Sequence, residues 1–132
     1  MIKFPLFCVS GALCGEFKIS MPETINVLSG SCVTIPCSFD VEDGHKNNLD
    51  STCRAIWMND GRNIFDSSSP QQNGQVTGNL RKKDCSTTLN NIHPRKKNEY
   101  TFRLECNNAL KYTYNDKMTI RVTGRFDVNL SL

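Results

Sequence analysis

The 132-residue sequence has no run of about 20 apolar residues, the length that a helix needs to cross a bilayer. It also has no segment with sustained helical periodicity, no glycine-rich phosphate loop and no nucleophile motif. Its two histidines, His45 and His93, complete no zinc ligand set with the cysteines. The sequence therefore predicts neither a helical protein nor a metal site nor an enzyme, and it implies no cofactor.

The net charge of the chain is small. The formal net charge is +3, and the basic residues are spread along the chain apart from two short runs at residues 81–83 and 95–97. No basic–aromatic interleaving accompanies these runs, and no helix-turn-helix pattern is present. We therefore expect the two runs to lie in solvated turns and expect no nucleic-acid partner.

The first residues have the pattern of a secretory signal. Lys3 is followed by a short apolar stretch, and Ala12 and Cys14 are small enough to precede a cleavage site. A buried first strand is the alternative, but Pro5 and Gly11 make it the less favoured one. We expect residues 1–14 to be a signal peptide and the rest of the chain to enter an oxidising compartment.

The remainder consists of short strand patterns bounded by turn residues. The predicted strands are 17–20 with 24–28 (strand A), 32–39 (B), 54–58 (C), 63–65, 76–80 (D), 86–92 (E), 99–106 (F) and 110–122 (G). Strands at this spacing without helices are typical of an all-β, immunoglobulin-type antiparallel β-sandwich. We assign this domain to residues 15–123. Residues 124–132 are a tail of unknown status, and we do not favour use of its glycosylation sequon at Asn129.

The usual signature of such a sandwich is broken near Tyr100. The architecture places a corner tyrosine two residues before a cysteine that joins the two sheets. Here Phe102 takes the place of that cysteine, and Arg103 follows it. Cys37 on strand B therefore needs another partner. A relocated disulfide with a guanidinium at the next position indicates a binding site for an anion.

Five cysteines remain beyond the signal, and an odd number leaves one without a partner in this chain. In a sandwich, the end of strand B lies beside the start of E, and the start of C lies beside the end of F. These neighbours bring Cys37 near Cys85 and Cys53 near Cys106, although spacing alone leaves the connectivity open. The first pairing is an intra-sheet B–E disulfide. Cys32 stays unpaired, and its expected partner lies in a following domain.

Several blocks resemble the Siglecs, the sialic-acid-binding immunoglobulin-type lectins, over about residues 16–123. They are residues 31–39 (SCVTIPCSF), 54–57 (RAIW), 78–80 with 84–86 (GNL and DCS), and 100–105 (YTFRLE). Cys53 and Cys106, with residues 107–112 (NNALKY), are similar to fish members related to myelin-associated glycoprotein and the B-cell Siglec. The resemblance implies an amino-terminal V-set domain.

The resemblance also implies that Arg103 binds the carboxylate of sialic acid. Strand alternation supports this independently, because a core-facing Phe102 puts Arg103 on the outer face of the sheet. A guanidinium fork matches a carboxylate through two charge-assisted hydrogen bonds. The alternative is an exposed arginine that pairs with Glu105.

Further ligand contacts follow from the same resemblance. Tyr112 falls where strand G places an aromatic ring against the glycerol chain of the sugar, although many members have tryptophan there. Lys111 and Thr113 flank it on the strand whose backbone binds the sugar hydroxyls. Phe17 is the candidate for a strand-A aromatic that contacts the N-acetyl methyl group. Cross-strand packing for Tyr112, and a buried first-strand position for Phe17, remain open alternatives.

The expected function is therefore that of a sialic-acid-binding domain of a cell-surface receptor in adhesion or immune regulation. Its expected partners are sialylated glycans and, in a longer form, a following immunoglobulin domain. The expected location is the secretory pathway and the extracellular face of the plasma membrane, or the exterior if the chain ends at Leu132. The alternative is a V-set recognition domain for a protein ligand, with Arg103 as a charge at the rim.

Overall fold

The computed structural model describes residues 15–69 and 73–124. The predicted signal peptide and Asn129 lie outside the described residues. The described part contains eleven strands and two short 3₁₀ helices, Asp43–Asn48 and Leu80–Lys82. The strands are β1 (Lys18–Ser20), β2 (Thr24–Leu28), β3 (Val33–Ile35), β4 (Ser38–Asp40), β5 (Arg54–Asn59), β6 (Arg62–Asp66), β7 (Gly74–Val76), β8 (Thr87–Leu89), β9 (Glu99–Glu105), β10 (Lys111–Thr113) and β11 (Met118–Thr123).

These strands form the two layers of an immunoglobulin-like sandwich, as predicted. The larger sheet has the order β2-β11-β9-β5-β6, and β10 also pairs with β9. The smaller sheet has the order β3-β8-β7. The predicted strand A is divided at Pro22 into β1 and β2, which have different partners. β1 pairs antiparallel with β4, whereas β2 pairs parallel with β11 of the larger sheet. In the letters used above, β3 and β4 are strand B, β5 is C, β8 is E, β9 is F, and β10 and β11 are G.

Strand D differs from its predicted position. The expected strand at residues 76–80 is wrong, because β7 ends at Val76 and the chain turns into the 3₁₀ helix Leu80–Lys82. Gly78 lies so close to Asp84 that a side chain at this glycine would overlap that residue. The Asn79 side chain then accepts a hydrogen bond from the Arg81 amide at 3.0 Å, which caps the short helix.

Strand G is also not continuous from 110 to 122, because residues 114–117 separate β10 from β11. Tyr114 accounts for the break. Its amide still bonds to the Phe102 carbonyl at 2.9 Å, but its buried ring reaches across the sandwich. There the hydroxyl donates to the Asp40 carbonyl at 2.7 Å, an anchor in strand β4.

The core lies between the sheets and supports the strand that carries Arg103. Trp57 of β5 and Phe102 of β9 are fully buried, and their rings lie 5.2 Å apart. The Trp57 indole donates to the Thr87 hydroxyl at 3.0 Å, so its polar group is satisfied without water. Because Thr87 belongs to β8, this hydrogen bond joins the two sheets.

Both predicted disulfides are present: Cys37 bonds to Cys85, and Cys53 bonds to Cys106. Each bond lies within one layer, since Cys37 and Cys85 continue the pairing of strands B and E, and Cys53 and Cys106 that of C and F. Cys32 is free and exposed. Its sulfur lies 3.4 Å from the side-chain oxygen of Asn90.

Candidate functional site

Arg103 lies in the middle of β9, where buried and partly exposed residues alternate. Its neighbours Phe102 and Leu104 are fully buried, so the arginine side chain leaves the opposite face of the sheet with 29% of its area exposed. Ile56 of β5 is its partner on one side, and Thr113 of β10 is its partner on the other. The expected outward orientation is what the structure has.

Two hydrogen bonds orient the Arg103 guanidinium. Nη1 donates to the Thr113 hydroxyl at 2.8 Å, and Nε donates to Glu105 Oε1 at 3.2 Å. Nη2 makes no hydrogen bond to a residue in the described ranges. One edge of the fork is therefore held in place, and a terminal nitrogen remains free to meet a ligand.

Glu105 links Arg103 to a second arginine. Its Oε2 accepts from Arg54 Nη2 at 3.2 Å, while Arg54 Nη1 lies 3.2 Å from Asp66 Oδ2. The hydrogen bond from Arg103, followed by that from Arg54, holds the pKa of Glu105 below its ordinary value. The alternative expected for Arg103, a pair with Glu105, thus exists in the structure. Sequence reasoning missed Arg54, although alternation with the buried Ala55 places it on the same outer face.

The two predicted aromatic residues come together, and they lie against each other. The Phe17 and Tyr112 rings stack in parallel with centroids 3.8 Å apart and an interplanar angle of 6°. Tyr112 also meets the edge of Tyr114 at 4.8 Å, and His45 approaches Phe17 at 5.8 Å. The last two residues were not predicted. The period of two between Tyr112 and Tyr114 was the available signal for Tyr114; nothing in the sequence pointed to His45.

The backbone of β10 presents an open edge beside these rings. The residues that bond to β9 are even-numbered: the Cys106 amide donates to the Leu110 carbonyl at 2.9 Å, and the Tyr114 amide donates to Phe102 at 2.9 Å. In an antiparallel pair the intervening residues direct their backbone groups the other way. The amides and carbonyls of Lys111 and Thr113 therefore face an edge to which no described strand is paired.

The Lys111 side chain has a different environment from Tyr112. It is exposed and lines an open cleft of about 290 Å³ together with Arg54, Ser68 and Glu105. The cleft adjoins the Arg103–Glu105 pair, so two further cations lie near the carboxylate of Glu105. Of the predicted residues, Arg103, Thr113 and Lys111 thus share the outer face of β9 and β10. Tyr112 pairs with the buried Leu104, so its ring lies on the core side of the same strand, stacked on Phe17.

Within residues 15–69 and 73–124, no cluster of three or more histidine, cysteine or acidic side chains is placed to hold a metal ion. Neither of the helices in this part of the chain has the length and apolar character to cross a membrane.

The chain is similar to several curated proteins. Sialic acid-binding Ig-like lectin 13 of Pan troglodytes is 28% identical over 127 residues, which cover 86% of this chain and 32% of that protein. Myelin-associated glycoprotein of Homo sapiens is 26% identical over an alignment 139 residues long, which covers 94% of this chain and 22% of that protein. Sialic acid-binding Ig-like lectin 8 of Homo sapiens is 24% identical over 119 residues, covering 80% of this chain and 23% of that protein.

The chain carries a Siglec-like domain. Its similarity to these relatives extends over most of its length and coincides with the immunoglobulin-like sandwich and the two disulfides. No protein-family model matches the chain. The Siglec-like chain spans about a third or less of the length of these curated relatives.

Proposed function

We propose that this Siglec-like domain binds sialylated glycans and that Arg103 holds the carboxylate of the sialic acid. The observation that carries the proposal is the orientation of the guanidinium. It projects from the open face of β9, fixed by Thr113 at 2.8 Å and Glu105 at 3.2 Å, while Nη2 stays free of described partners. The relatives named for sialic acid binding support the same class of ligand.

Glu105 competes with the ligand in this proposal, because its carboxylate already occupies one side of the Arg103 guanidinium. An incoming carboxylate takes the free Nη2 side and competes with Glu105 for the guanidinium. Arg54, 3.2 Å from Oε2, keeps Glu105 paired during this exchange, so no carboxylate is left without a cation. Hydrogen bonds to charged groups contribute about 1.5–3 kcal/mol each, which is enough to decide whether a small sugar binds.

The rest of the sugar lies against β10 in this proposal. The outward amides and carbonyls of Lys111 and Thr113 bind its hydroxyls, since these groups lack a strand partner among the described residues. Tyr112 supplies an apolar surface for the glycerol chain. Phe17 stacks on Tyr112 at 3.8 Å, so the two rings form one apolar wall against which the glycerol chain and the N-acetyl methyl group pack.

We further propose that the chain acts within the ectodomain of an adhesion or immune receptor, as a binding rather than a catalytic module. In this view residues 1–14 direct it to the secretory pathway, residues 15–123 are the ligand-binding domain, and residues 124–132 are a tail of unknown status. The exposed Cys32 then pairs with a following immunoglobulin domain. A single shallow site binds weakly, so adhesion depends on many copies at high effective concentration.

The test is binding of the full chain to sialylated cells, with Arg103→Ala as the variant and Arg121→Ala as the matched control. Arg121 is an exposed arginine on the same sheet, so its loss changes the net charge equally. We expect Arg103→Ala and sialidase treatment of the cells each to abolish binding, and Arg121→Ala to leave it intact. Binding that survives sialidase would refute the lectin function and favour a protein ligand.

A further inference from the structure

A second cationic region lies at the other end of the larger sheet. It is an open cleft of about 550 Å³ between the β5–β6 turn and the segment that precedes β9. Four exposed cations line it, accompanied by two amide side chains: Arg62, Arg95, Lys96 and Lys97, with Asn59 and Asn63. Residues 95–97 form one of the two basic runs noted in the sequence, and the Arg103 site does not use them.

A buried amide fixes the two sides of this cleft to each other. Asn59 is only 6% exposed, and its Nδ2 donates to the Lys97 carbonyl at 2.8 Å and to the Glu99 carbonyl at 3.1 Å. The turn after Asn59 is tight, since Asp60 and Gly61 both have positive φ, at 52° and 77°. The cations therefore project from two segments whose relative position is set by buried hydrogen bonds.

The charges in this cleft are not balanced. Among the described residues that line it, Asp60 is the one acid, 3.7 Å from Lys97. In the part of the chain that the structure describes, no ion pair involves Arg62, Arg95 or Lys96, although Arg95 also contacts the Tyr100 hydroxyl.

A neighbouring cleft of about 250 Å³ has a different charge balance. There the cations have acidic partners, as in the pair between Lys117 and Glu99 at 3.8 Å. The surplus of positive charge is therefore specific to the larger cleft, not a property of this whole end of the sheet.

The larger cleft is separate from the Arg103 site. Glu99 begins β9 and lies four positions before Arg103, a separation of roughly 13 Å along an extended strand. Residues 95–97 come before that strand, at the end of the sheet away from β10. A small sugar bound at Arg103 does not reach this cleft.

We propose that this cleft binds a sulfated glycan chain of the glycosaminoglycan class. Such a chain carries sulfate and carboxylate groups that guanidinium and ammonium groups bind through charge-assisted hydrogen bonds. Its hydroxyl and amide groups match the exposed side chain of Asn63. A concave cleft of about 550 Å³ favours a chain over a flat bilayer. None of the described residues that line it is aromatic, which disfavours stacked nucleic acid bases.

The test uses heparin as the probe and the full chain as the protein. The variant Arg62→Gln with Lys96→Gln removes two cations that have no described ion-pair partner. The matched control, Arg81→Gln with Lys82→Gln, removes the same charge from exposed positions in the other basic run. We expect about tenfold weaker heparin binding and a shallower salt dependence for the first variant, and a change within about twofold for the control.

Further arms identify the ligand class with the unaltered chain. Chemically desulfated heparin is expected to bind at least tenfold more weakly than heparin. In the same heparin assay the variant Arg103→Ala is expected to bind as the unaltered chain does, which separates this inference from the proposed sialic acid site. Equal loss in the two charge variants, equal binding of desulfated heparin, or tighter binding to phosphatidylserine vesicles or duplex DNA would each overturn the proposal.

Discussion

The two cationic regions of the larger sheet differ in how their charges are held. Arg103 is partly buried, and its guanidinium has two hydrogen-bonded partners in Thr113 and Glu105. The cleft around Arg62 and Lys96 has exposed cations that lack described ion-pair partners. The first arrangement fixes the direction of the Arg103 guanidinium, and the second concentrates positive charge in one cleft. The two proposals therefore assign two kinds of anion recognition to one sheet, one geometric and one electrostatic.

The difference has consequences that solution experiments can detect. A directional contact is sensitive to the shape of its donor, so even a conservative substitution weakens it. A concentration of exposed charge is sensitive to salt, because counterions screen it over a Debye length of about 10 Å at 0.1 M. The following predictions are ordered from the largest expected effect to the smallest.

The largest effect is expected from removing the disulfide nearest the Arg103 site, in the variant Cys53→Ala with Cys106→Ala. This bond joins residues 53 positions apart and ties β5 to β9 beside Arg54 and Glu105. We expect the free energy of unfolding to fall by about 2–4 kcal/mol, measured by urea denaturation. Sialoside affinity of the folded variant should fall too, while heparin affinity stays unchanged. A parallel loss of both affinities would show that the two regions are not independent.

Arg103→Lys is expected to have the next largest effect. Lysine keeps the positive charge but has no planar fork, so it cannot bond the ligand, Thr113 and Glu105 together as the guanidinium does. We expect sialoside affinity to fall roughly tenfold to a hundredfold, the equivalent of losing one charge-assisted hydrogen bond. Calorimetric titration with a soluble sialoside measures this. Affinity within twofold of wild type would mean that charge alone suffices at this site.

Glu105→Gln is expected to strengthen sialoside binding by a few-fold at neutral pH, because the competing carboxylate is gone. The pKa of Glu105 is lowered in the folded chain, so this group stabilises the fold above its ordinary pKa of about 4.3. That stabilisation is lost as the pH falls through the lower folded pKa. Denaturation midpoints from pH 6 to pH 3 should therefore fall less for the variant than for wild type. Weaker sialoside binding by the variant would show that the orienting hydrogen bond from Arg103 to Glu105 outweighs the competition from the Glu105 carboxylate.

The smallest effect is expected from the variant Tyr112→Phe. Tyr112→Phe keeps the ring that stacks on Phe17, and we expect it to bind sialosides within about twofold of wild type. Tyr112→Ala removes the ring and should weaken binding by about fivefold, through lost apolar contact. Titrations of the two variants under the same conditions measure the difference. Equal losses in both variants would point to the hydroxyl group as the contact.

Much of the fold could be predicted because it depends on local pattern. Alternation along strand F predicted the buried Phe102 and the outward Arg103, and both are as expected. Antiparallel neighbours in a sandwich predicted the bonds from Cys37 to Cys85 and from Cys53 to Cys106. These features need only the side-chain period and the order of the strands.

The parts that were missed depend on three-dimensional contacts. The break in strand G follows from the Tyr114 hydroxyl reaching the Asp40 carbonyl, 74 residues away in sequence. The position of Arg54 beside Glu105 requires the register between β5 and β9. The stacking of Phe17 on Tyr112 depends on where the first strand crosses the edge of the sheet. None of these is encoded in a local period.

The most direct test of the central claim removes each partner of the proposed ion pair in turn: the guanidinium of Arg103 from the protein and the carboxylate from the sugar. The full chain and Arg103→Ala are titrated with a soluble sialoside and with its methyl ester, in which the carboxylate is neutral. If Arg103 binds that carboxylate, each single change weakens binding about tenfold or more, and the double change adds almost nothing. Losses that simply add, or an ester that binds the full chain as well as the free acid, would contradict the account.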